Sequence, residues 1–191
     1  MTLKPPPQRP KGFSSGMTKG EKRLHYAGKG GPKREKLAKL GGGEGLWLFG
    51  VHAVNAALRN PARSCRRLVA TEDRVSGLDP ALLARIKKVE TTDREGIDRL
   101  LPPGSVHQGL ALAVDLLPDL EFDDLKRAAF IQERAVFLML DQVTDPQNVG
   151  AVLRSAAAFG ALGLILQDRF APPESGALAK AASGGLEAVP L

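Results

Sequence analysis

Residues 136–166 have the sequence VFLMLDQVTDPQNVGAVLRSAAAFGALGLIL, and this stretch decides the fold class. Its first five residues are all apolar, as expected for a parallel strand that is buried on both faces. A polar loop follows, and apolar residues then recur at helical spacing from about Val149 to Phe159. Gly160 stands where helices commonly end, and residues 162–166 form the next apolar run. The stretch therefore predicts a strand–helix–strand unit with parallel strands.

The chain on both sides of this stretch continues the alternation of strands and helices. Downstream, the sequence predicts a helix over residues 175–183 and the beginning of a third strand over residues 188–191. Upstream, apolar runs predict two strands, over residues 67–70 and 110–114. Helical spacing predicts three helices, over residues 51–58, 80–89 and 92–101. The predicted class is α/β, with a small domain over residues 46–115 followed by a parallel-sheet domain over residues 133–191.

The positive charge of the chain is concentrated at its N-terminus. Residues 1–44 contain 11 Lys and Arg against 3 Asp and Glu, whereas the remaining residues contain 16 against 18. Residues 1–45 also lack apolar periodicity, so we expect a disordered basic tail with a Gly-rich linker. Such a tail, including Lys33 and Arg34, is suited to contact nucleic-acid phosphates. A solubilising extension without a specific partner is the alternative.

Composition excludes several classes of protein. Cys65 is the only cysteine and the three histidines do not cluster, so neither a disulfide nor a metal site is predicted. No apolar run reaches the roughly 18 residues of a membrane span, and no secretory signal follows the basic N-terminus. We therefore expect a cytoplasmic protein. Residues 116–132, which begin in an acidic stretch, are expected to be a connector.

The loop and helix after the first strand carry the candidate chemistry. Ligands of open α/β sheets bind beyond the carboxyl ends of the strands, where this loop lies. Asn148 is expected at or near the N-cap of the helix, and Arg154 is the basic residue of that helix. A guanidinium there requires an anionic partner, for which a nucleic-acid phosphate is the simplest choice. A structural pairing of Arg154 with Asp141 or Asp145 remains open.

This stretch resembles the first signature motif of SpoU (TrmH) RNA 2′-O-ribose methyltransferases. The resemblance rests on DQVTDPQNVG at residues 141–150, on Arg154 and on Phe159-Gly160. Two upstream segments, FGVHAV at 49–54 and VHQGLA at 106–111, resemble the family's small RNA-binding domain, which is similar to ribosomal protein L30e. KAASGGLE at 180–187 resembles the helix after the second strand. The pattern is most similar to family members that methylate a guanosine ribose in large-subunit 23S ribosomal RNA.

The resemblance implies methyl transfer from S-adenosylmethionine to a ribose 2′-hydroxyl. It implies catalytic roles for Arg154 and Asn148, and RNA contact for His107 and Gln108. Since arginine holds its proton tightly, we favour phosphate anchoring and charge stabilisation for Arg154. Asn148 would position the ribose or hold the loop. A structural hydrogen-bonding role for His107 and Gln108 is the alternative.

The family's C-terminal trefoil knot does not appear in this sequence. Family members bind the methyl donor there, with a G-x-E-x-x-G loop and a later S-L-N segment, and form much of their homodimer interface with the same region. Neither motif occurs in the 191 residues, so the cofactor-binding residues are unknown and expected beyond Leu191. We therefore expect a truncated SPOUT-type domain that is inactive alone. The alternative function is a non-catalytic RNA-binding module for ribosome assembly.

Overall fold

The first part of the protein is built on a mixed four-stranded sheet. The computed structural model describes residues 45–118, 120–167 and 171–191, so the basic tail with Lys33 and Arg34 lies outside the described residues. The strands are β1 (Leu46–Phe49), β2 (Cys65–Ala70), β3 (Lys88–Thr91) and β4 (Leu110–Val114), in the spatial order β1-β4-β2-β3. Strand β4 pairs antiparallel with β1 and β2, and every one of its residues is buried.

Four helices connect these strands: α1 (Val51–Arg59), α2 (Glu72–Ser76), α3 (Pro80–Leu83) and α4 (Arg94–Asp98). The helix predicted over residues 80–89 is wrong in its second half, because α3 ends at Leu83. Residues 88–91 instead pair in parallel with β2. Their alternating charged and β-branched side chains fit the half-exposed edge of a sheet, and the backbone ladder with β2 decides in favour of the strand.

The second part contains the predicted strand–helix–strand unit. A helix that was not predicted, α5 (Phe122–Phe130), precedes β5 (Phe137–Leu140), α6 (Pro146–Ala158) and β6 (Gly163–Leu166). Strands β5 and β6 pair in parallel, with Phe137 opposite Gly163. The expectation that the first strand is buried on both faces is wrong, since Met139 is 74% exposed. Within the described residues, β6 is the one strand that pairs with β5.

Two short helices complete the described chain, α7 (Gly176–Ala182) and α8 (Gly185–Ala188). Helix α7 confirms the helix predicted over residues 175–183. The third strand predicted over residues 188–191 is wrong, because Ala188 is the last residue of α8 and residues 189–191 belong to no strand. The segment nevertheless lies beside β6, where the amide of Leu164 donates to the carbonyl of Pro190 at 2.9 Å.

Helix α7 packs between the first sheet and α6, so the two parts of the chain share one hydrophobic core. Glycines make this close packing possible. A Cβ at Gly176 would lie 2.5 Å from the carbonyl oxygen of Trp47, and a Cβ at Gly150 would lie 2.6 Å from that of Leu178. Real Cβ atoms do not approach so closely, so α7 meets the backbone of β1 at Gly176, and α6 meets the backbone of α7 at Gly150. In the part of the chain that the structure describes, no helix has the length and apolarity that crossing a membrane requires.

Candidate functional site

Helix α6 begins beyond the carboxyl end of β5, and Asp145 is its N-cap. The Asp145 carboxylate accepts from the amides of Gln147 at 3.1 Å and Asn148 at 3.3 Å. Pro146 occupies the first helical position, where its fixed φ suits the helix and its missing N–H costs nothing. Asn148 was expected at or near the N-cap, and it lies near it, as the third residue of α6 with an exposed side chain. The side chain that accepts from the helix amides is that of Asp145 and not that of Asn148.

Arg154 lies in the third turn of α6 with an exposed side chain. Within residues 45–118, 120–167 and 171–191, no carboxylate forms an ion pair with it. Of the two structural partners that the sequence left open, Asp145 caps the helix and Asp141 accepts from the side chain of Gln167. The guanidinium is thus available to an external anion.

The arrangement of α6 presents Asn148 and Arg154 on different sides of the helix. Six residues at 3.6 per turn separate them by about 120° around the axis and about 9 Å along it. The exposed residues Ala151 and Ser155 lie on the arc between them, and the buried stripe formed by Val149 and Leu153 lies on the opposite side of the helix. These two side chains are therefore placed to contact different groups of one extended ligand.

The contacts behind α6 fix its orientation. A Cβ at Gly185 would lie 2.7 Å from the carbonyl oxygen of Leu153 and 3.0 Å from the amide of Arg154, so α8 packs directly against the backbone that carries the arginine. At the preceding residue, a Cβ on Gly184 would lie 3.0 Å from Cβ of Ala56 in α1. The α7–α8 turn is therefore in contact with both the Arg154 region and the small domain.

The predicted pair His107 and Gln108 divides into a buried and an exposed residue. His107 is 7% exposed, its Nδ1 accepts from the amide of Gly109 at 3.1 Å, and its Nε2 lies 3.2 Å from the Asp98 carboxylate. Both ring nitrogens are thus engaged within the chain, which favours the structural alternative for His107. Gln108 is exposed in a left-handed conformation with φ 55°, and its side-chain oxygen accepts from the amide of Val51 at 3.2 Å.

A buried ionic cluster, which sequence reasoning missed, joins the small domain to the segment after β6. The fully buried guanidinium of Arg63 lies 2.6 Å from Glu174 and 2.6 Å from Glu187. It also donates to the carbonyl of Asp115 at 2.8 Å, while the Asn60 side chain donates to Glu187 at 2.6 Å. The separations of 111 and 124 residues between Arg63 and its two carboxylates explain why no sequence pattern identifies the cluster.

Burial and charge act in opposition within this Arg63 cluster. Burial lowers the pKa of Arg63, but the charges of Glu174 and Glu187 outweigh it, so the guanidinium pKa is raised. For Glu174 the burial dominates and raises the pKa of its carboxyl, despite the opposing charge of Arg63. The segment 171–191 contains Glu174 and Glu187 as its only carboxylate side chains, and both are bound by Arg63.

The protein is a two-part α/β fold with an exposed cation, Arg154, on the helix that connects the two parallel strands β5 and β6. Residues 47–120 match the RNA 2′-O ribose methyltransferase substrate binding domain, and residues 135–191 match the SpoU rRNA Methylase family. The chain belongs to this SpoU family, which confirms the resemblance drawn from the sequence and the predicted fold class.

Curated relatives agree with both matches. The 23S rRNA (guanosine-2′-O-)-methyltransferase RlmB of Vibrio cholerae is 34% identical over 148 residues, which cover 75% of this chain and 60% of the relative. A putative TrmH family tRNA/rRNA methyltransferase of Bacillus subtilis, YacO, is 31% identical over 150 residues, covering 76% of this chain and 59% of that protein. The chain thus spans about three fifths of the length of these relatives.

Solved structures show the same fold at lower identity. The SpoU methyltransferase AviRb from Streptomyces viridochromogenes, in complex with AdoMet, superposes with a TM-score of 0.59 at 22% identity and covers 82% of this chain and 57% of that one. A putative TrmH-family RNA methyltransferase from Porphyromonas gingivalis also gives 0.59, at 23% identity, and covers 86% and 62% of the two chains.

Proposed function

We propose that this protein binds RNA and takes part in methylation of a ribose 2′-hydroxyl, with a guanosine of 23S ribosomal RNA as the target. The observation that carries the proposal is the exposed guanidinium of Arg154, on the helix that follows β5 and without an ion-pair partner among the described residues, within the part of the chain matched to the SpoU family. RlmB of Vibrio cholerae is named for this reaction. An RNA substrate of this kind also supports a cytoplasmic location.

The proposed reaction requires a weak nucleophile to be held in place. A ribose hydroxyl must be oriented toward the methyl group and must lose its proton as the new bond forms. Arg154 would anchor the phosphate next to that ribose, because a planar guanidinium offers paired donors to two phosphate oxygens. Asn148, on the other side of α6, would hold the ribose itself. Lys33 and Arg34 of the tail would add phosphate contacts along the same RNA.

S-adenosylmethionine is the methyl donor we propose, as AviRb is described in complex with AdoMet. The described residues after β6 offer no free carboxylate side chain to this donor. The two carboxylates of that segment, Glu174 and Glu187, are bound by Arg63 and are therefore not available to the adenosine or amino acid groups. We propose accordingly that the 191-residue chain alone transfers no methyl group. The homodimer in which we propose that the complete reaction takes place is implied by the family resemblance alone.

A non-catalytic RNA-binding module is the second candidate function, and the unavailable carboxylates favour it for this chain alone. Calorimetric titration of the 191-residue chain with S-adenosylmethionine separates the two. Absence of binding by a folded sample agrees with our account of the donor site. Saturable binding would mean that residues 1–191 contain a donor site, and would contradict it.

The RNA-binding part of the proposal is tested by Arg154→Ala in the full chain. We expect weaker binding to a labelled fragment of 23S ribosomal RNA and a salt dependence reduced by about one phosphate contact, that is, by about 0.7 to 0.9 in the slope of log K against log salt. Arg127→Ala is the matched control, because Arg127 is also exposed on a helix but is paired with Asp124 at 3.2 Å. Equal RNA affinities of the two variants would contradict a role for Arg154.

A further inference from the structure

Three segments that are distant in sequence converge at the start of α1. Gly50 precedes this helix, Gln108 belongs to the turn before β4, and Lys180 comes from α7 in the methylase part. A Cβ at Gly50 would lie 2.8 Å from Nζ of Lys180 and 3.2 Å from Oε1 of Gln108. The ammonium group of α7 and the amide group of the small domain therefore lie over the same glycine.

The ammonium group of Lys180 makes no ion pair among the described residues that would stabilise the fold. Its side chain is half-buried, yet among the residues that the structure describes it has no carboxylate partner. The first turn of α1 contains no acidic residue, and the positive end of a helix dipole disfavours a neighbouring cation. The rest of α7 is apolar or small and packs on α6 and β1, so this cation stands alone on the helix.

The side chain of Gln108 also lies over Gly50, and its amide N–H groups donate no hydrogen bond within the described ranges. Its Oε1 accepts from the amide of Val51, which directs the oxygen toward α1. Its Nε2 donates to no residue in the described ranges, and the left-handed backbone of the Gln108 turn is fixed by the buried ring of His107. The Nε2 group of Gln108 and the ammonium group of Lys180 are thus two neighbouring donor groups that bind no acceptor among the described residues.

We propose that Lys180 and Gln108 together form an RNA-contacting site that spans the two parts of the chain, with Lys180 bound to a backbone phosphate. The inference rests on the proposed RNA function and extends it to a residue of the methylase part. The site joins the small domain to α7, and α7 in turn packs against α6, which carries Arg154. RNA held there is therefore positioned relative to Arg154 by packed helices and not by a linker.

The test measures binding of the full 191-residue chain to a short, labelled single-stranded RNA over a series of NaCl concentrations. We expect Lys180→Gln to weaken binding and to reduce the slope of log K against log salt by about 0.7, the value for one contact to a single strand. Lys180→Arg should restore the wild-type slope, because it keeps the charge. Lys126→Gln is the matched control, since Lys126 is an exposed helical lysine paired with Asp123 at 2.5 Å.

A double-mutant cycle with Gln108→Ala tests whether the two side chains bind one ligand, and it should give non-additive losses of affinity. Wild-type affinity and slope in Lys180→Gln, together with weakened binding by Arg154→Ala, would overturn the Lys180 site and leave the proposed function intact. A loss of affinity that Lys180→Arg does not restore, with a lowered unfolding temperature, would assign Lys180 a structural role and overturn the inference. Absence of salt-dependent RNA binding by the wild-type chain would overturn the proposed function as well.

Discussion

The buried cluster around Arg63 and the exposed site around Arg154 each depend on an arginine, but the two guanidinium groups have opposite environments. Arg63 is fully buried and donates to two carboxylates and a carbonyl. Arg154 is exposed and has no ion-pair partner within the described ranges. A guanidinium whose donors are satisfied inside the protein contributes to the fold, whereas one whose donors are open can contribute to binding. The comparison separates a structural arginine from the arginine that we propose to bind RNA.

The largest expected effect is the loss of the Arg63 cluster. Arg63→Met keeps much of the buried volume but leaves Glu174 and Glu187 without their counter-charge, so we expect a loss of about 3–5 kcal/mol in the free energy of unfolding. Arg154→Ala removes an exposed side chain, and its effect should stay within about 0.5 kcal/mol. Urea unfolding of the two variants and the wild type measures both values.

The comparison can be sharpened by neutralising the whole cluster. Combining Arg63→Met with Glu174→Gln and Glu187→Gln removes the uncompensated charges, so part of the lost stability should return. A triple variant less stable than Arg63→Met would show that the carboxylates stabilise the fold independently of the arginine. Equal unfolding free energies for Arg63→Met and Arg154→Ala would remove the distinction between the two sites.

The cap of α6 gives the next largest effect. Asp145→Ala removes the acceptor for two helix amides and should cost about 1 kcal/mol in the free energy of unfolding. Asn148→Ala removes an exposed side chain that accepts and donates no hydrogen bond within the described residues, and its effect on stability should be small. Thermal unfolding of the two variants tests the assignment, and a larger loss for Asn148→Ala would reverse it.

Local patterns in the sequence predicted the elements that carry the fold. The apolar runs gave β4, β5 and β6, and helical spacing gave α1, α6 and α7, because these elements bury a repeating face. Residues 80–91 failed since their four-residue helix and four-residue strand are too short to show a period. The exposed face of β5 was also missed, because apolar composition does not report how many strands pair with it.

The candidate site was predictable to the extent that its residues are neighbours in the chain. Arg154 and Asn148 follow from a single motif. The N-cap, however, is Asp145, followed by Pro146, and it lies three residues before Asn148. Lys180 and Gln108 are 72 positions apart, and the partners of Arg63 are more distant still. Contacts between such residues depend on how α7 packs against the first sheet, which no local pattern specifies.

The last and smallest expected effect comes from the ion cluster at the edge of the first sheet. The solvent exposure of this cluster is intermediate between that of Arg63 and that of Arg154. Glu90 on β3 accepts from Arg67 on β2 at 2.7 Å and is paired with Lys88. Hydrogen bonds from these two side chains lower the pKa of Glu90 to about 2. Because the folded pKa lies below the ordinary value of 4.5, the stabilisation is present above pH 4.5 and is lost as the pH falls toward 2.

Glu90→Gln should therefore reduce the difference in unfolding free energy between pH 5 and pH 3 relative to the wild type. Glu95→Gln is the control, since Glu95 lies 3.6 Å from Arg99 in a pair that is more than 70% exposed on both sides. Solvent screens both clusters more than the Arg63 cluster, so the change for Glu90 should be well below the loss for Arg63→Met. An effect of Glu90→Gln as large as that loss would mean that burial does not decide the energetic importance of ion pairs in this protein.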